Sequence, residues 1–320
     1  MTDYQSLGLK DQPGVKIEDS ISTAGKKVFE YYFDQLIANI PSARIGEDIE
    51  AIHDVRVAIR RLRVAGNIFG KTYQKQIIKP LRKQLKVMGG VFGVVRDTDV
   101  FIENSSKYLG NGFLDIARFQ PMTDYMIGER LKVHKHAVAY LDDMEYVRFI
   151  RDLEQFVRIS DLGVEFLENG MQIFPLNDFV PQIISKQLDK LKNYNEINEY
   201  SSYKILHQLR IDGKKLRYAL EFFTEILGTE LEIAIKLLKE LQDCLGDIND
   251  VNVAAQITLD GISQAVYLEN NLLRDLFVQY QEIIIEEKIS LMKKLPEIWE
   301  NYKRPEFEHL VVRSFQGLDL

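Results

Sequence analysis

The chain has 320 residues, enough for two domains or for one large domain built from two similar halves. Charged residues make up 28% and hydrophobic residues 46%, with 19 Gly and 8 Pro, which excludes disordered, collagen-like and low-complexity classes. Acidic side chains outnumber basic ones, 48 to 41, so a polyanion site has to be a local concentration of basic residues. The single cysteine, Cys244, excludes an intrachain disulfide and a multi-cysteine metal site.

Residues 1–14 contain neither a basic nor an apolar segment of the kind that directs export. No later run approaches the roughly 18 apolar residues that a membrane span requires. We therefore predict a cytoplasmic protein with no membrane insertion.

Apolar residues repeat at helical spacing along nearly the whole chain, which predicts an all-α fold. A first run extends from Val28 to Ile40, and we expect Pro41 to end it. The predicted helices that follow cover 47–69, 77–92, 97–109, 121–142 and 145–159, then 178–194, 201–227, 230–245, 248–268 and 273–294. The clearest breaks are Gly110 to Gly112 and Gly170 through Pro175 to Pro181, and the second is our candidate for a seam between two halves.

Two pairs of segments recur at almost the same offset. IHDVRVAIRRLRVAGNIF, from Ile52, and LHQLRIDGKKLRYALEFF, from Leu206, share the pattern H-x-x-R-[VI]-x-x-[RK]-[RK]-L-R at an offset of 154. Lys83 and Lys86 precede FGVVRDTDV as Lys236 and Lys239 precede LGDINDVNV, at an offset of 153. This repetition predicts a duplicated helical unit.

The repeated segments place their basic residues on one side of a helix. At about 100° per residue, His53, Arg56, Arg60 and Arg63 fall within about 80° of one another, opposite an apolar face. The second copy places another such stripe opposite its apolar residues, and this stripe consists of His207, Arg210, Lys214 and Arg217.

No acidic residue lies within either stripe, so its cations repel one another unless an anion is bound. Phosphate oxygens form charge-assisted hydrogen bonds with Arg and Lys. The stripes therefore predict a multivalent anion; sulfate or nucleic-acid phosphate would satisfy the charge equally, and the alternative is a solvated surface.

Other charged runs have simpler interpretations. Binding and a solvated face are equally good interpretations of the stripe of Lys79, Arg82, Lys83 and Lys86. The run RLKVHKH, from Arg130 to His136, is interpreted as surface charge. We expect Asp97, Asp99, Asp247 and Asp250 to lie in turns, where they cap helices or pair with Arg and Lys; we predict no metal site and no cofactor.

The paired histidine motifs and the FGVVRD and LGDIND segments resemble the two halves of a CHAD domain, the conserved histidine α-helical domain. The resemblance covers residues 16–310, with halves at about 16–160 and 176–310 between tails at 1–15 and 311–320. It implies two pseudo-symmetric antiparallel four-helix bundles around a basic central cavity that binds inorganic polyphosphate, often at polyphosphate granules. It transfers no catalytic residues, and we expect no N-terminal triphosphate-hydrolysing domain before residue 16.

By matching position, the resemblance implies polyphosphate contacts in both halves. In the first half they are His53, Arg56, Arg60, Arg61, Arg63, Lys83 and Lys86. In the second half they are His207, Arg210, Lys214, Lys215, Arg217, Lys236 and Lys239. Arg61 and Lys215 lie about 100° from their stripes, so their side chains either line the rim of the cavity or pair with acids.

We predict a non-enzymatic polyphosphate-binding protein, and two other classes remain open. A metal-dependent phosphohydrolase would use His53 and Asp54, but the second copy has Gln208 after His207. A nucleic-acid-binding regulator would need aromatic residues among the basic ones, and Tyr218 is the only one present in the stripes. Partner proteins and the oligomeric state are not indicated by the sequence.

Overall fold

The computed structural model describes residues 11–110, 116–165 and 176–318. These residues form ten α-helices and two short 3-10 helices, and an isolated β-bridge joins Tyr73 and Val164. The all-α prediction is therefore confirmed. The α-helices are α1 (Ile21–Ile45), α2 (Ile49–Ile68), α3 (Lys75–Gly110), α4 (Ile116–Asp142), α5 (Met144–Arg158), α6 (Leu176–Lys192), α7 (Tyr203–Phe222), α8 (Glu230–Tyr267), α9 (Asn271–Lys303) and α10 (Pro305–Ser314).

The helices pack in two groups. In the first, α1 packs on α2 and α5, while α3 packs on α2, α4 and α5. In the second, α7 packs on α6 and α8, while α8 packs on α9 and α10. Contacts of α2 with α7, α3 with α8 and α4 with α9 join the groups, so the two helices that carry the histidine motifs meet where the groups meet. The duplication of one ancestral unit stays a prediction from the sequence.

The apolar faces of α2 and α7 are buried as the helical spacing predicts. Val55, Ile59 and Leu62 of α2 are at most 1% exposed, as are Leu209 and Leu216 of α7. Each such side chain contributes about 1.5–3 kcal/mol through burial. This burial fixes the rotation of each helix about its own axis. It turns the basic faces of both helices toward the contact between the two helical groups.

Both predicted breaks at the Asp-rich segments are wrong. Helix α3 continues through FGVVRDTDV and α8 continues through LGDINDVNV, so each replaces two predicted helices. Glycine costs only about 1 kcal/mol in a helix relative to alanine. Burial of Phe92 and Val95 in α3, and of Leu245 and Ile248 in α8, is enough to keep these segments helical.

Three other boundaries that the sequence predicted differ from those in the structure. Pro41 lies inside α1, which ends with Gly46 in the left-handed conformation (φ 79°). The second break falls partly on 166–175, outside the described residues, and Pro181 lies inside α6. Residues 311–318, which we placed in a C-terminal tail, are helical, and Val311 and Leu318 are buried.

The interpretation of RLKVHKH as surface charge is wrong for two of its residues. Arg130 Nε donates to Asp99 Oδ1 over 2.9 Å, and this pair is nearly buried. His134 is buried and its Nε2 lies 2.9 Å from Ala43 O. These residues tie α4 to α3 and α1. No helix in the described ranges is both long and apolar enough to cross a membrane.

Candidate anion-binding site

The basic faces of α2 and α7 look into one cavity of about 620 Å³ between the two helical groups. Helices α3 and α8 complete its wall, so all four helices that carry repeated motifs contribute to it. We call it the central cavity. Its basic and titratable lining residues are His53, Arg56, Arg60, Arg96, His207, Arg210, Lys214 and Arg217, and its acidic ones are Asp97, Asp243, Asp247 and Asp250.

The cationic side chains of the central cavity differ in how closely an acid approaches them. Arg56 lies 3.9 Å from Asp97, and Arg217 lies 3.6 Å from Glu221. The charged neighbours of Arg60 and Lys214 are mainly other arginines, and Asp250 is an acidic neighbour of Lys214. The site therefore concentrates cationic side chains at the contact between the two helical groups.

The pKa values of two of these groups reflect this crowding. Burial, reinforced by Arg60, Arg210 and Arg217, lowers the pKa of Lys214 to about 6. Burial also lowers the pKa of Arg60, and the like charges of Arg217 and Arg56 act in the same direction. An anion in the cavity would relieve both effects, because it favours the charged form of each group.

Several guanidinium N–H groups in this cavity are buried without a protein acceptor. Within the described ranges, these are Nε of Arg60, Arg210 and Arg217 and Nη1 of Arg96. A buried donor that has no acceptor typically costs about 1–3 kcal/mol. Acceptor oxygens of a bound anion would satisfy these donors.

Tyr218 organises the arginines where α2 meets α7. Its ring is fully buried, and the guanidinium carbons of Arg60, Arg61 and Arg217 lie 5.1–5.4 Å from its centroid. Cation–π attraction at such distances holds guanidinium groups in place. Tyr218 therefore keeps one arginine from each stripe, Arg60 and Arg217, close together despite their repulsion.

The two motif histidines have different surroundings. His207 Nδ1 lies 3.3 Å from Asn249 Oδ1 and 3.4 Å from Tyr203 Oη, which fixes the ring. His53 is beside Arg96, and burial together with that charge lowers its pKa. Both imidazoles line the central cavity, as the sequence predicts.

Sequence reasoning missed Arg96 and Asn249 as lining residues. They occupy matching positions in the FGVVRD and LGDIND segments, at the same offset of 153 as the lysine pair. We predicted turns at these segments, and a turn does not place the two side chains on the cavity. In the structure both segments are helical, and the helices direct Arg96 and Asn249 into the cavity. The offset itself was the signal that identifies them.

The acidic lining residues moderate the positive charge. Burial and the neighbouring Asp250 raise the pKa of Asp97, against the opposing effect of Arg56 and Arg210. In the part of the chain that the structure describes, no three His, Cys, Asp or Glu side chains form a group that could hold a metal ion.

Arg61 and Lys215 pair with acids and do not line the central cavity. Arg61 Nη2 lies 2.9 Å from Glu221 Oε2, and its Nη1 donates to Tyr32 Oη over 2.5 Å. Lys215 Nζ lies 2.9 Å from Asp212 Oδ1. Of the two positions that the sequence left open for this pair, the acid-paired one is observed.

The remaining predicted contacts lie outside the central cavity. Arg63, Lys83 and Lys86 line a separate groove of about 250 Å³ with Asn67, Lys79 and Arg82, which we call the outer groove. Lys236 and Lys239 are exposed on α8 and line neither site. The expectation that all of these side chains face one cavity is wrong: α3 and α8 turn their lysines outward, and Arg63, near the end of α2, lines the outer groove.

A glycine of α3 makes room for Arg56. A Cβ atom at Gly93 would lie 2.6 Å from Arg56 Nη1, so Gly93→Ala has to displace this guanidinium. We expect the variant to bind polyanions several-fold more weakly while its stability stays equal or rises by up to about 1 kcal/mol, since alanine favours the helix. Calorimetric titration and thermal unfolding measure the two effects. A variant that binds as the wild type does would contradict the placement of Arg56.

The fold and the site together define an all-helical protein with a basic central cavity. The sequence profile of the CHAD domain matches residues 27–258, and the chain therefore belongs to the CHAD domain family. A crystal structure of the CHAD domain from the plant Ricinus communis superposes with a TM-score of 0.68 at 21% identity, covering 87% of this chain and 93% of that one. PptA from Streptomyces chartreusis superposes with a TM-score of 0.59 at 13% identity, covering 88% and 100%. No curated protein sequence matches the chain.

Proposed function

We propose that the protein binds inorganic polyphosphate in its central cavity and does not cleave it. The observation that carries this proposal is the set of buried guanidinium N–H groups that line the central cavity and have no acceptor among the described residues, those of Arg60, Arg96, Arg210 and Arg217. A ligand that brings several anionic oxygens supplies acceptors for these donors and offsets the repulsion between the cations. Membership of the CHAD family supports the same ligand class.

An extended ligand suits the site better than a single phosphate. The part of the α2 stripe that lines the cavity, from His53 to Arg60, rises about 10 Å at 1.5 Å per residue, and the α7 stripe, from His207 to Arg217, rises about 15 Å. The exposed outer groove adds Arg63, Lys83 and Lys86 on the adjoining face of α2 and α3, so a long chain can continue beyond the cavity. Nucleic acid fits the central cavity less well than polyphosphate does. A cavity of about 620 Å³ has the size of a small-molecule site, and nucleic acid carries a sugar and a base on every phosphate.

Calorimetric titration with polyphosphates of defined length tests the proposal. Affinity should climb steeply with chain length and then level off, because each added phosphate engages further cations at high effective concentration. By analogy with counterion release, log affinity should fall with log salt with a slope of several units if roughly six to ten charges engage. DNA and RNA should compete poorly at equal phosphate concentration.

Three results would contradict the proposal. Orthophosphate binding as tightly as a long chain would indicate a compact small-molecule site. Equal competition by DNA or RNA would favour a nucleic-acid regulator. Release of orthophosphate that depends on a divalent metal would make the protein a phosphohydrolase. The proposal also includes a cytoplasmic location at polyphosphate granules, which a fluorescent fusion would reveal by its overlap with stained granules.

A further inference from the structure

A second cavity, of about 520 Å³, adjoins the central cavity at the start of α7. Its apolar lining comes from three helices, with Leu206 of α7, Ile248 of α8 and Ile285, Ile289 and Met292 of α9. Small-molecule sites have this size and a mainly apolar lining with a few polar groups. We call it the apolar pocket.

Tyr203 forms the wall between the apolar pocket and the central cavity, because its side chain lines both. Its ring centroid lies 5.5 Å from that of His207, and its hydroxyl donates to Asn249 Oδ1 over 3.3 Å. These contacts hold the ring beside the first residue of the α7 stripe. Tyr200 supplies a second aromatic ring to the pocket and is 85% exposed.

The polar groups of the apolar pocket favour an anionic ligand that carries hydrogen-bonding edges. Lys288 and Lys293 line it, and among the described residues the one carboxylate beside them is that of Glu199. Lys288 Nζ donates to Asn252 Oδ1 over 2.9 Å, which holds it beside the pocket. Ser202, which precedes α7, lines the pocket and makes no capping hydrogen bond with its side chain.

We infer that the protein binds nucleoside polyphosphates, with the base in the apolar pocket beside Tyr203 and the phosphate chain on the basic stripe of α7. His207, Arg210 and Lys214 follow Tyr203 by 4, 7 and 11 residues, so all of them share one face of the helix. A base against Tyr203 therefore directs its phosphates first to His207 and then along the stripe. This inference rests on the proposed function, since the phosphates occupy the same central cavity.

Comparison of ATP with tripolyphosphate tests the inference, because both carry three phosphates. Tripolyphosphate has both ends free and the greater negative charge, so electrostatics alone favours it. Stacking of the base should nevertheless make ATP bind about tenfold more tightly to the wild type. In the double variant Ile285→Gln/Ile289→Gln the preference for ATP should be lost, while tripolyphosphate should bind as it does to the wild type. Both isoleucines are about half exposed, so the variant should fold.

Val278→Gln serves as the matched control. Val278 is 42% exposed on α9, two turns before Ile285, and does not line the apolar pocket. This variant should keep the preference for ATP. If ATP binds the wild type no more tightly than tripolyphosphate, or if the preference survives in the double variant, the inference is wrong while the proposed function stands. If neither ligand nor a longer polyphosphate binds, both are wrong.

Discussion

Replacing Arg60 and Lys214 together by glutamate should reduce polyphosphate affinity by at least about 100-fold, because each residue forms charge-assisted hydrogen bonds worth about 1.5–3 kcal/mol. One residue comes from each stripe, and both line the central cavity. The new carboxylates would also repel the ligand directly. Calorimetric titration measures the loss, and circular dichroism checks that the helical content is unchanged.

The charge-reversed variant should remain folded because glutamates at these positions lie beside Arg56, Arg210 and Arg217. The substitution exchanges repulsion among the cations for attraction. A milder pair, Arg60→Gln with Lys214→Met, removes the charges without adding acids and should still lower the slope of log affinity against log salt by nearly two. Retained affinity in either folded variant would disprove the assignment of the central cavity.

A matched control reverses two charges elsewhere. Arg148 and Arg151 are exposed on α5 and line neither the central cavity nor the outer groove, so Arg148→Glu/Arg151→Glu should bind almost as the wild type does. Arg130 is unsuitable because its buried ion pair with Asp99 would be replaced by two carboxylates. Such a variant would lose stability for reasons unrelated to ligand binding.

The helical repeat of the sequence predicted which face of α2 and α7 is basic, and the structure places most of that face on the central cavity. The spacing of His53, Arg56 and Arg60 opposite Val55, Ile59 and Leu62 determines the angle of each side chain about its own helix. Burial of the apolar side then determines the direction of the basic side. No knowledge of neighbouring helices is needed for that step.

The neighbours of a helix, in contrast, were not predictable from its own spacing. Arg61 faces Glu221 and Tyr32, which are distant in sequence, so its ion pair depends on the packing of α2 against α7 and α1. Lys83 and Lys86 match Lys236 and Lys239 in sequence, yet only the first pair lines the outer groove with other cations. The charge pattern of a sequence locates the basic face of a helix. Tertiary packing determines which side chains of other helices contact that face.

The pH dependence of binding should identify Lys214 individually. Its pKa in the ligand-free protein is lowered to about 6, so at neutral pH its amine is mostly unprotonated. A phosphate chain favours the ammonium and raises this pKa, so binding takes up a proton. Affinity should therefore fall as pH rises above about 6, by up to about tenfold per pH unit until the pKa of the complex is reached.

Lys214→Arg provides the matched variant, because its guanidinium stays charged throughout this range. Its affinity should depend less on pH than that of the wild type, and the contributions of all other groups, which are the same in both proteins, cancel in the difference. Calorimetry at pH 7.5 in two buffers of different ionisation enthalpy counts the protons taken up. Uptake should be larger by up to one proton in the wild type than in Lys214→Arg. Equal uptake, or a wild-type affinity that rises with pH, would show that Lys214 is already charged before the ligand binds.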